Sequence, residues 1–239
     1  MKTIILILVL VIFPTGSFGQ YLNIHKNDGS RQNFNLSEID SITFSGLPCL
    51  DIPTVTYEGK VYNTLLIGEQ CWLKENLDVG NMISGVNNQT QNGQIEKYCY
   101  NNSTTNCNIY GGLYQWGEAM QYATAPGTQG ICPPGWHIPT QGEFDALKSA
   151  VGNDGNALKE IGQGSGSGAG TNTSGFSALL AGDRRSNGSF YDLEALGFFW
   201  SSTEEYGSAY VMYLGYDYSE IYIDLGPEDR GFSVRCIMD

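Results

Sequence analysis

The chain has 239 residues, with 25 carboxylates against 12 lysines and arginines, a formal net charge of −13 and a pI near 4.4. That balance argues against a nucleic-acid partner, whose phosphates need a basic face, and disfavours anionic membrane surfaces. Hydrophobic residues at 41% and charged residues at 15% describe a globular chain, and 31 glycines with 15 tyrosines point to short strands joined by many loops.

Residues 1–19 read as a secretory signal peptide: Lys2, an apolar run from Ile4 to Phe13, then Pro14 and small residues up to Gly19. Cleavage before Gln20 is expected, and no cysteine stands there to carry a lipid. No segment is apolar for long enough to span a bilayer. The mature chain is therefore expected to be soluble and exported, to the periplasm, the cell surface or the medium. With three residues after Cys236, no separate C-terminal sorting domain is expected.

Residues 20–46 look like a small β-rich unit. Leu22 and Ile24 alternate with polar neighbours, Asn27-Asp28-Gly29 turns, a second strand runs from Gln32 to Leu36, and a third from Ser41 to Phe44. His25, on this hairpin, reads as plain surface. The unit resembles a short leader common after signal peptides in Bacteroidetes surface proteins. Residues 47–54 read as a linker, and residues 55–239 as the main domain.

The main domain opens with Val55–Tyr57 and Val61–Tyr62 flanking Glu58-Gly59, a hairpin signal, followed by a strand at Leu65–Ile67 and a turn at Gly68-Glu69. Residues 80–96 are polar and read as a surface loop. Leu113, Trp116 and Met120 recur at helical spacing, which predicts a helix from Leu113 to Ala123. Thr140 with Glu143 forms a capping box ahead of Phe144, Leu147 and Val151, and Gly152 caps the other end. A shorter helix is expected from Asn156 to Ile161. His137 has no acid or serine at a telling spacing and reads as structural. The glycine-rich run Gln163–Gly175 lacks a following Gly-Lys-Ser/Thr, so it is no phosphate cradle. It reads as an extended, mobile loop or a ligand-facing one, with a strand at Phe176–Leu180 after it.

Six cysteines, Cys49, Cys71, Cys99, Cys107, Cys132 and Cys236, carry no C-x-x-C spacing, so disulfides rather than zinc are expected in an exported chain. Fifteen pairings are open to sequence. The expected set is Cys49–Cys71, Cys99–Cys107 and Cys132–Cys236, the first two closing local loops.

Gly197–Cys236 has apolar ends, Phe198–Trp200 and Phe232–Cys236, around a middle rich in tyrosine and carboxylates. Tyrosine gives large contact area at low entropy cost, so Glu204, Glu205, Tyr206, Tyr210, Tyr216, Asp217, Tyr218, Tyr222 and Asp224 are the candidate ligand-binding residues. Ile221, Ile223 and Leu225 are expected to face inward, with Glu220, Tyr222 and Asp224 outward. The competing reading is a tyrosine-rich sheet packed on its own core.

The blocks YEGKVYNTLLIGEQCWLKENL, YGGLYQW, CPPGWHIPT with Glu143-Phe144 following, GFSALLAGDRR, GFFWSSTE and GFSVRC occur in this order between about Val55 and Cys236. In them the chain resembles the Fibrobacter succinogenes major paralogous domain. The resemblance implies an α+β, C-type lectin-like fold of the variant shared with formylglycine-generating enzymes and retroelement ligand-binding proteins. Such a fold has two helices and a twisted antiparallel sheet whose last strands display a binding face. It implies an exported bacterial surface protein with no established ligand.

The redox cysteine pair of formylglycine-generating enzymes is missing, since the last third holds Cys236 alone. The Glu-Pro-Asn, Gln-Pro-Asp and Trp-Asn-Asp motifs of calcium-dependent lectins are missing too. No catalytic residue, metal site or cofactor is expected. Glu204, Glu205, Asp217, Asp224, Glu228 and Asp229 offer oxygen ligands of the kind calcium takes, but scattered solvated carboxylates are the expected state. With His25 and His137 the two histidines, a serine–histidine–acid triad has weak support. The reading is a non-enzymatic binding module, an adhesin or a domain recognising a glycan or surface protein. The alternatives are a structural component of the cell envelope and, third, an enzyme on a lectin-like scaffold.

Overall fold

The computed structural model describes residues 21–25, 29–38 and 46–239. The chain divides into two compact units, Met1–Phe44 and Ser45–Asp239. In the first, β1 (Tyr21–His25) pairs antiparallel with β2 (Arg31–Asn35), and a 3-10 turn, Leu36–Glu38, follows. The expected signal peptide at 1–19, the Asn27-Asp28 part of the turn and the third strand at 41–44 lie outside the described residues.

The second unit opens with a meander of β3 (Thr54–Tyr57), β4 (Lys60–Ile67) and β5 (Gln70–Leu73). Glu58 and Gly59 both take positive φ, 48° and 76°, the twist that a two-residue hairpin turn requires. The separate short strands expected at Val61–Tyr62 and Leu65–Ile67 are one strand, β4. The stretch expected as a linker is packed into this unit. Cys49 is bridged to Cys71, and the Leu47 carbonyl accepts from the Leu66 N–H at 2.8 Å.

A short parallel pair follows, β6 (Asn81–Met82) with β7 (Glu96–Lys97). Next come α1 (Thr104–Tyr110), α2 (Trp116–Ala119), β8 (Trp136–His137), α3 (Gln141–Ala150) and α4 (Gly155–Leu158). The chain closes with β9 (Ala181–Arg184), β10 (Phe190–Leu193), β11 (Leu196–Glu205), β12 (Ser208–Gly215), β13 (Tyr222–Gly226) and β14 (Ile237–Met238). Two five-stranded sheets result, in the orders β3-β4-β5-β14-β8 and β10-β9-β11-β12-β13.

Strand β11 joins two cores because it is buried on both sides. Phe199 points into a cluster with Trp72, Phe144, Leu147, Phe176, Met212 and Leu214, where Trp72 stacks on Phe144 at 5.8 Å. Trp200 points the other way, into a cluster with Tyr62, Tyr114, Trp116, Trp136 and Phe232. Two disulfides, Cys49–Cys71 and Cys132–Cys236, lie in that second cluster, and Cys99–Cys107 closes the loop that enters α1. The three pairs are the expected ones.

Several expectations are overturned. The α+β, C-type lectin-like domain with two helices is not what the chain forms. The described residues hold fourteen strands in four sheets, and of the four α-helices just one exceeds seven residues. The Leu113–Ala123 helix shrinks to α2. Leu113 and Tyr114 bridge in strand fashion to Tyr98 and Phe232, and Gln121 and Tyr122 turn to positive φ, 49° and 60°. Local periodicity there loses to pairing with distant strands. The strand expected at Phe176–Leu180 is interrupted by Ser177 at φ 55°; Ala178 makes a single bridge to Lys159, and a strand begins at Ala181.

The glycine-rich run is pinned, not loose. The Ser165 N–H donates to the Tyr216 carbonyl at 2.7 Å, and the Thr171 N–H to that of Asn156 at 2.8 Å. A β-carbon at Gly168 would overlap the Tyr216 backbone, so glycine is required there by close approach. By contrast, α3 follows its sequence signals: Thr140 and Glu143 exchange both bonds of the capping box, with Phe144 and Leu147 buried.

Candidate functional site

The candidate residues are carried by the β11–β12 hairpin, the loop after it, and edge strand β13. Tyr206 and Gly207 form the hairpin turn, and Tyr206 stands 92% exposed at its tip. Cross-strand register then sets which side chains meet. Tyr213 faces Phe198 on one neighbour and Tyr222 on the other. The rings form one ladder: Tyr218 edge-on to Tyr222 at 5.3 Å, Tyr222 stacked on Tyr213 at 5.2 Å, and Tyr213 against Phe198 at 5.9 Å. Phe198 continues onto Phe232 at 4.8 Å, and Phe232 onto buried Trp200 at 4.5 Å. Core and surface are thus coupled through aromatic contact.

Strand alternation splits the nine candidates instead of uniting them. Tyr222 and Asp224 share the ladder's face with Tyr213, which sequence reasoning left out. Tyr210, opposite Leu225, lies on the other face, where its hydroxyl donates to the Glu205 carboxylate at 2.6 Å. That bond, ahead of partial burial, raises the Tyr210 pKa. Glu204 turns back to accept from the Gly207 N–H at 2.7 Å, and Asp224 accepts from the next N–H, Leu225, at 2.8 Å. Tyr216 and Asp217 occupy the loop between β12 and β13. Ile221 is buried and Ile223 partly so, as expected, but Leu225 is 39% exposed because β13 is the sheet edge and the core ends before it.

That loop is held from beneath by Lys159, a residue that sequence reasoning did not single out. Its fully buried ammonium donates to the carbonyls of Gly215 at 2.6 Å and Tyr218 at 2.8 Å. Burial lowers its pKa, while Asp154, Asp217 and Glu220 act in the opposite direction. Ser167 adds a bond to the Asp217 carbonyl at 2.7 Å. Tyr218 lies over Gly215, where a β-carbon would run into the phenol ring. Burial pushes the Tyr218 hydroxyl pKa up to about 12, helped by Tyr213, Tyr222, Asp217 and Glu220.

The ladder's ring faces are largely spent on one another, so at the edge it offers hydroxyls. Tyr216 differs: the residue is 45% exposed, makes no ring–ring contact among the described residues, and borders an open hollow of about 330 Å³. Gly162, Gln163, Gly164, Ser165 and Glu194 complete the wall. The glycine-rich run therefore does face a surface recess.

The six carboxylates weighed as calcium ligands do not converge. Among the described residues no group of three or more histidine, cysteine, aspartate or glutamate side chains is placed to hold a metal ion. His137 is bracketed by two carboxylates, with Nε2 3.0 Å from Glu143 Oε1 and Nδ1 2.7 Å from Asp239 Oδ1. The Glu143 bond, outweighing burial, raises the His137 pKa.

A second recess, of about 380 Å³, lies between β4, α1 and the segment after β5, lined by Lys60, Lys74, Glu75, Asn76, Asp78, Tyr110, Glu160 and Arg235 among others. No local pattern marked these residues, which are gathered from five stretches of chain.

Residues 65–238 match the sequence profile of the Fibrobacter succinogenes major domain. The chain belongs to that family. No curated protein and no solved structure matches it. The Fibrobacter succinogenes major domain thus spans most of the second unit, from within β4 to β14, and leaves β3 and the start of β4 outside the matched residues. The chain's three disulfides, with no helix among the described residues long and apolar enough to cross a membrane, are consistent with an exported protein.

Proposed function

We propose that this chain is an exported, non-enzymatic binding module that recognises a glycan or a surface protein through the tyrosine-bearing end of its second sheet. The observation that carries this reading is Tyr216: a half-exposed tyrosine with no ring stacked on it among the described residues, beside a sugar-sized hollow with Gln163, Ser165 and Glu194 on its wall. Pockets of a few hundred Å³ with an aromatic surface and a few polar groups suit small ligands and single sugar rings. The bonds from Lys159, Ser165 and Ser167 fix the loop beforehand, which lowers the ordering cost of binding. Tyr222 and Tyr206 extend the surface along the sheet edge and to the hairpin tip.

A glycan array with a parallel pull-down from native surfaces tests the reading. Tyr216→Ala is expected to abolish capture, and Tyr222→Ala and Tyr206→Ala to weaken it less. Binding that survives Tyr216→Ala unchanged would remove the site assignment. Stoichiometric cross-linking to one envelope neighbour, with no glycan captured, would favour a structural role instead.

A further inference from the structure

The cleft between β4, α1 and the segment after β5 holds a cation with no carboxylate partner among the described residues. Arg235 is 1% exposed and lines the cleft floor. Its Nε and Nη2 donate to Asn76 Oδ1 at 3.1 and 2.6 Å, and Nη1 donates to the Phe176 carbonyl. Every one of these acceptors is neutral, and two of the five guanidinium N–H bonds have no acceptor among the described residues. Phe176 and Phe199 lie against the guanidinium at 4.2 and 5.5 Å. Asn76 is itself fixed, its amide donating to the Tyr110 carbonyl at 2.9 Å and to Ser233 Oγ at 3.3 Å. The guanidinium is therefore held in place beside a void without being neutralised. Burial pushes its pKa down to about 9, with Glu75 and Glu160 acting the other way.

The cleft's carboxylates are already engaged. Both Glu75 oxygens accept from Asn63, at 2.8 and 2.7 Å, and Glu160 accepts from the Asn172 amide at 3.1 Å. Asp78 is shared by Lys60 and Lys97. Lys74 makes no ion pair among the described residues and lines the same recess. Three cations, Lys60, Lys74 and Arg235, thus line the cleft with three carboxylates, Glu75, Asp78 and Glu160, an even balance in a chain of net charge −13. Val61 and Ile109, exposed at the rim, and Leu179 supply apolar wall.

We infer that this cleft is a binding site for a small organic carboxylate, the anionic group meeting Arg235 and Lys74 and its carbon skeleton meeting Val61, Ile109 and Leu179. A planar carboxylate matches the planar guanidinium and completes its unmet donors. The volume admits a molecule the size of a uronic acid. The cleft shares no lining residue with the hollow beside Tyr216, so either site can fail without the other.

The test follows the Arg235 Nε–H resonance in the ¹⁵N-labelled protein at neutral pH and constant ionic strength. Sodium acetate, galacturonate, galactose and phosphate are titrated separately against a sodium chloride reference. Acetate and galacturonate are expected to give saturable shifts, galacturonate the tighter, and galactose none. Lys74→Glu, a substitution outside the core, is expected to weaken both carboxylates by about tenfold through charge reversal at the site. Three results would each overturn the inference: shifts no different from chloride, saturable binding indifferent to Lys74→Glu, or a response to phosphate without one to acetate. Arg235→Gln should also abolish the carboxylate stabilisation seen by thermal unfolding. If that variant does not fold, the Lys74→Glu comparison still decides.

Discussion

The three disulfides rank by the length of chain they close, and the ranking can be measured. Their cysteines are 104, 22 and 8 residues apart, for Cys132–Cys236, Cys49–Cys71 and Cys99–Cys107 respectively. Restricting the unfolded chain at those spacings contributes about 4.8, about 3.4 and about 2.5 kcal/mol at 25 °C in the chain-entropy account. All six cysteines are buried, so replacing any pair by alanine deletes similar sulfur volume from a packed site. Differences between the paired variants therefore isolate loop length. Guanidinium unfolding without reductant, followed by tryptophan fluorescence, is the assay. Cys132→Ala with Cys236→Ala should cost about 2 kcal/mol more than Cys99→Ala with Cys107→Ala. The fluorescence reports the relevant region, since Trp116, Trp136 and Trp200 share a core with the long bridge. Equal costs, or the largest cost at Cys99–Cys107, would refute the reasoning and place the stabilisation in native contacts around α1.

Further outcomes are expected at four places. Thr140→Ala removes one half of the α3 capping box and should cost about 1 kcal/mol in the same assay. His137 has a raised pKa, so the stability it contributes is complete below the ordinary histidine value, near 6.5, and is lost as pH rises through the raised one. Thermal unfolding from pH 5 to 9 should show that decline in the parent chain and not in His137→Gln. Asp183 is fully buried, with Arg185 Nε 3.2 Å and Arg230 Nη1 3.9 Å from its Oδ2, and burial raises its pKa to about 6 against the partial opposition of these two cations. Ionising it opposes folding, so stability should fall between about pH 4 and 6, and Asp183→Asn should be flat across that window. Gly215→Ala should cost about 1–3 kcal/mol by displacing the Tyr218 ring, and almost nothing once Tyr218→Ala has emptied the seat. Additive costs in that double-mutant cycle would show that the ring does not rest there.

The legible parts of the fold are those whose cause is local. Thr140 and Glu143 lie three residues apart, and they fixed α3 correctly. Glu58-Gly59 marked its hairpin because two neighbouring residues set the turn. The failures share the opposite property. Leu113 and Tyr114 have helical spacing with Trp116 and Met120, yet their backbones pair with Tyr98 and Phe232. Phe232 is 118 positions from Tyr114, so no window centred on the YGGLYQW block contains the strand that captures it. Ser177 likewise breaks a strand that its neighbours' composition supports. The lectin-like expectation of two helices and one twisted sheet came from the family resemblance, and the described residues instead form four short α-helices and four sheets.

The candidate site shows the same division within one stretch. That tyrosines cluster in Gly197–Cys236 was visible, and so was the outward side of Tyr222, which is 43% exposed. Which rings keep a free face was not, since that depends on Tyr213 falling opposite Tyr222 while Tyr216 falls in a loop. Composition treats the tyrosines as equivalent; register commits Tyr213, Tyr218 and Tyr222 to one another and leaves Tyr216 unstacked. The buried cations are harder still. Lys159 donates to carbonyls 56 and 59 positions away, and Arg235 to an amide 159 positions away. Backbone carbonyls carry no residue identity, so a lysine that will be fully buried on them looks in sequence like any solvated lysine. The two recesses are built on these two cations, Lys159 beneath the loop that carries Tyr216 and Arg235 on the floor of the cleft. The shape of both proposed sites therefore rests on where two cations are buried, while strand register decides which tyrosines are stacked.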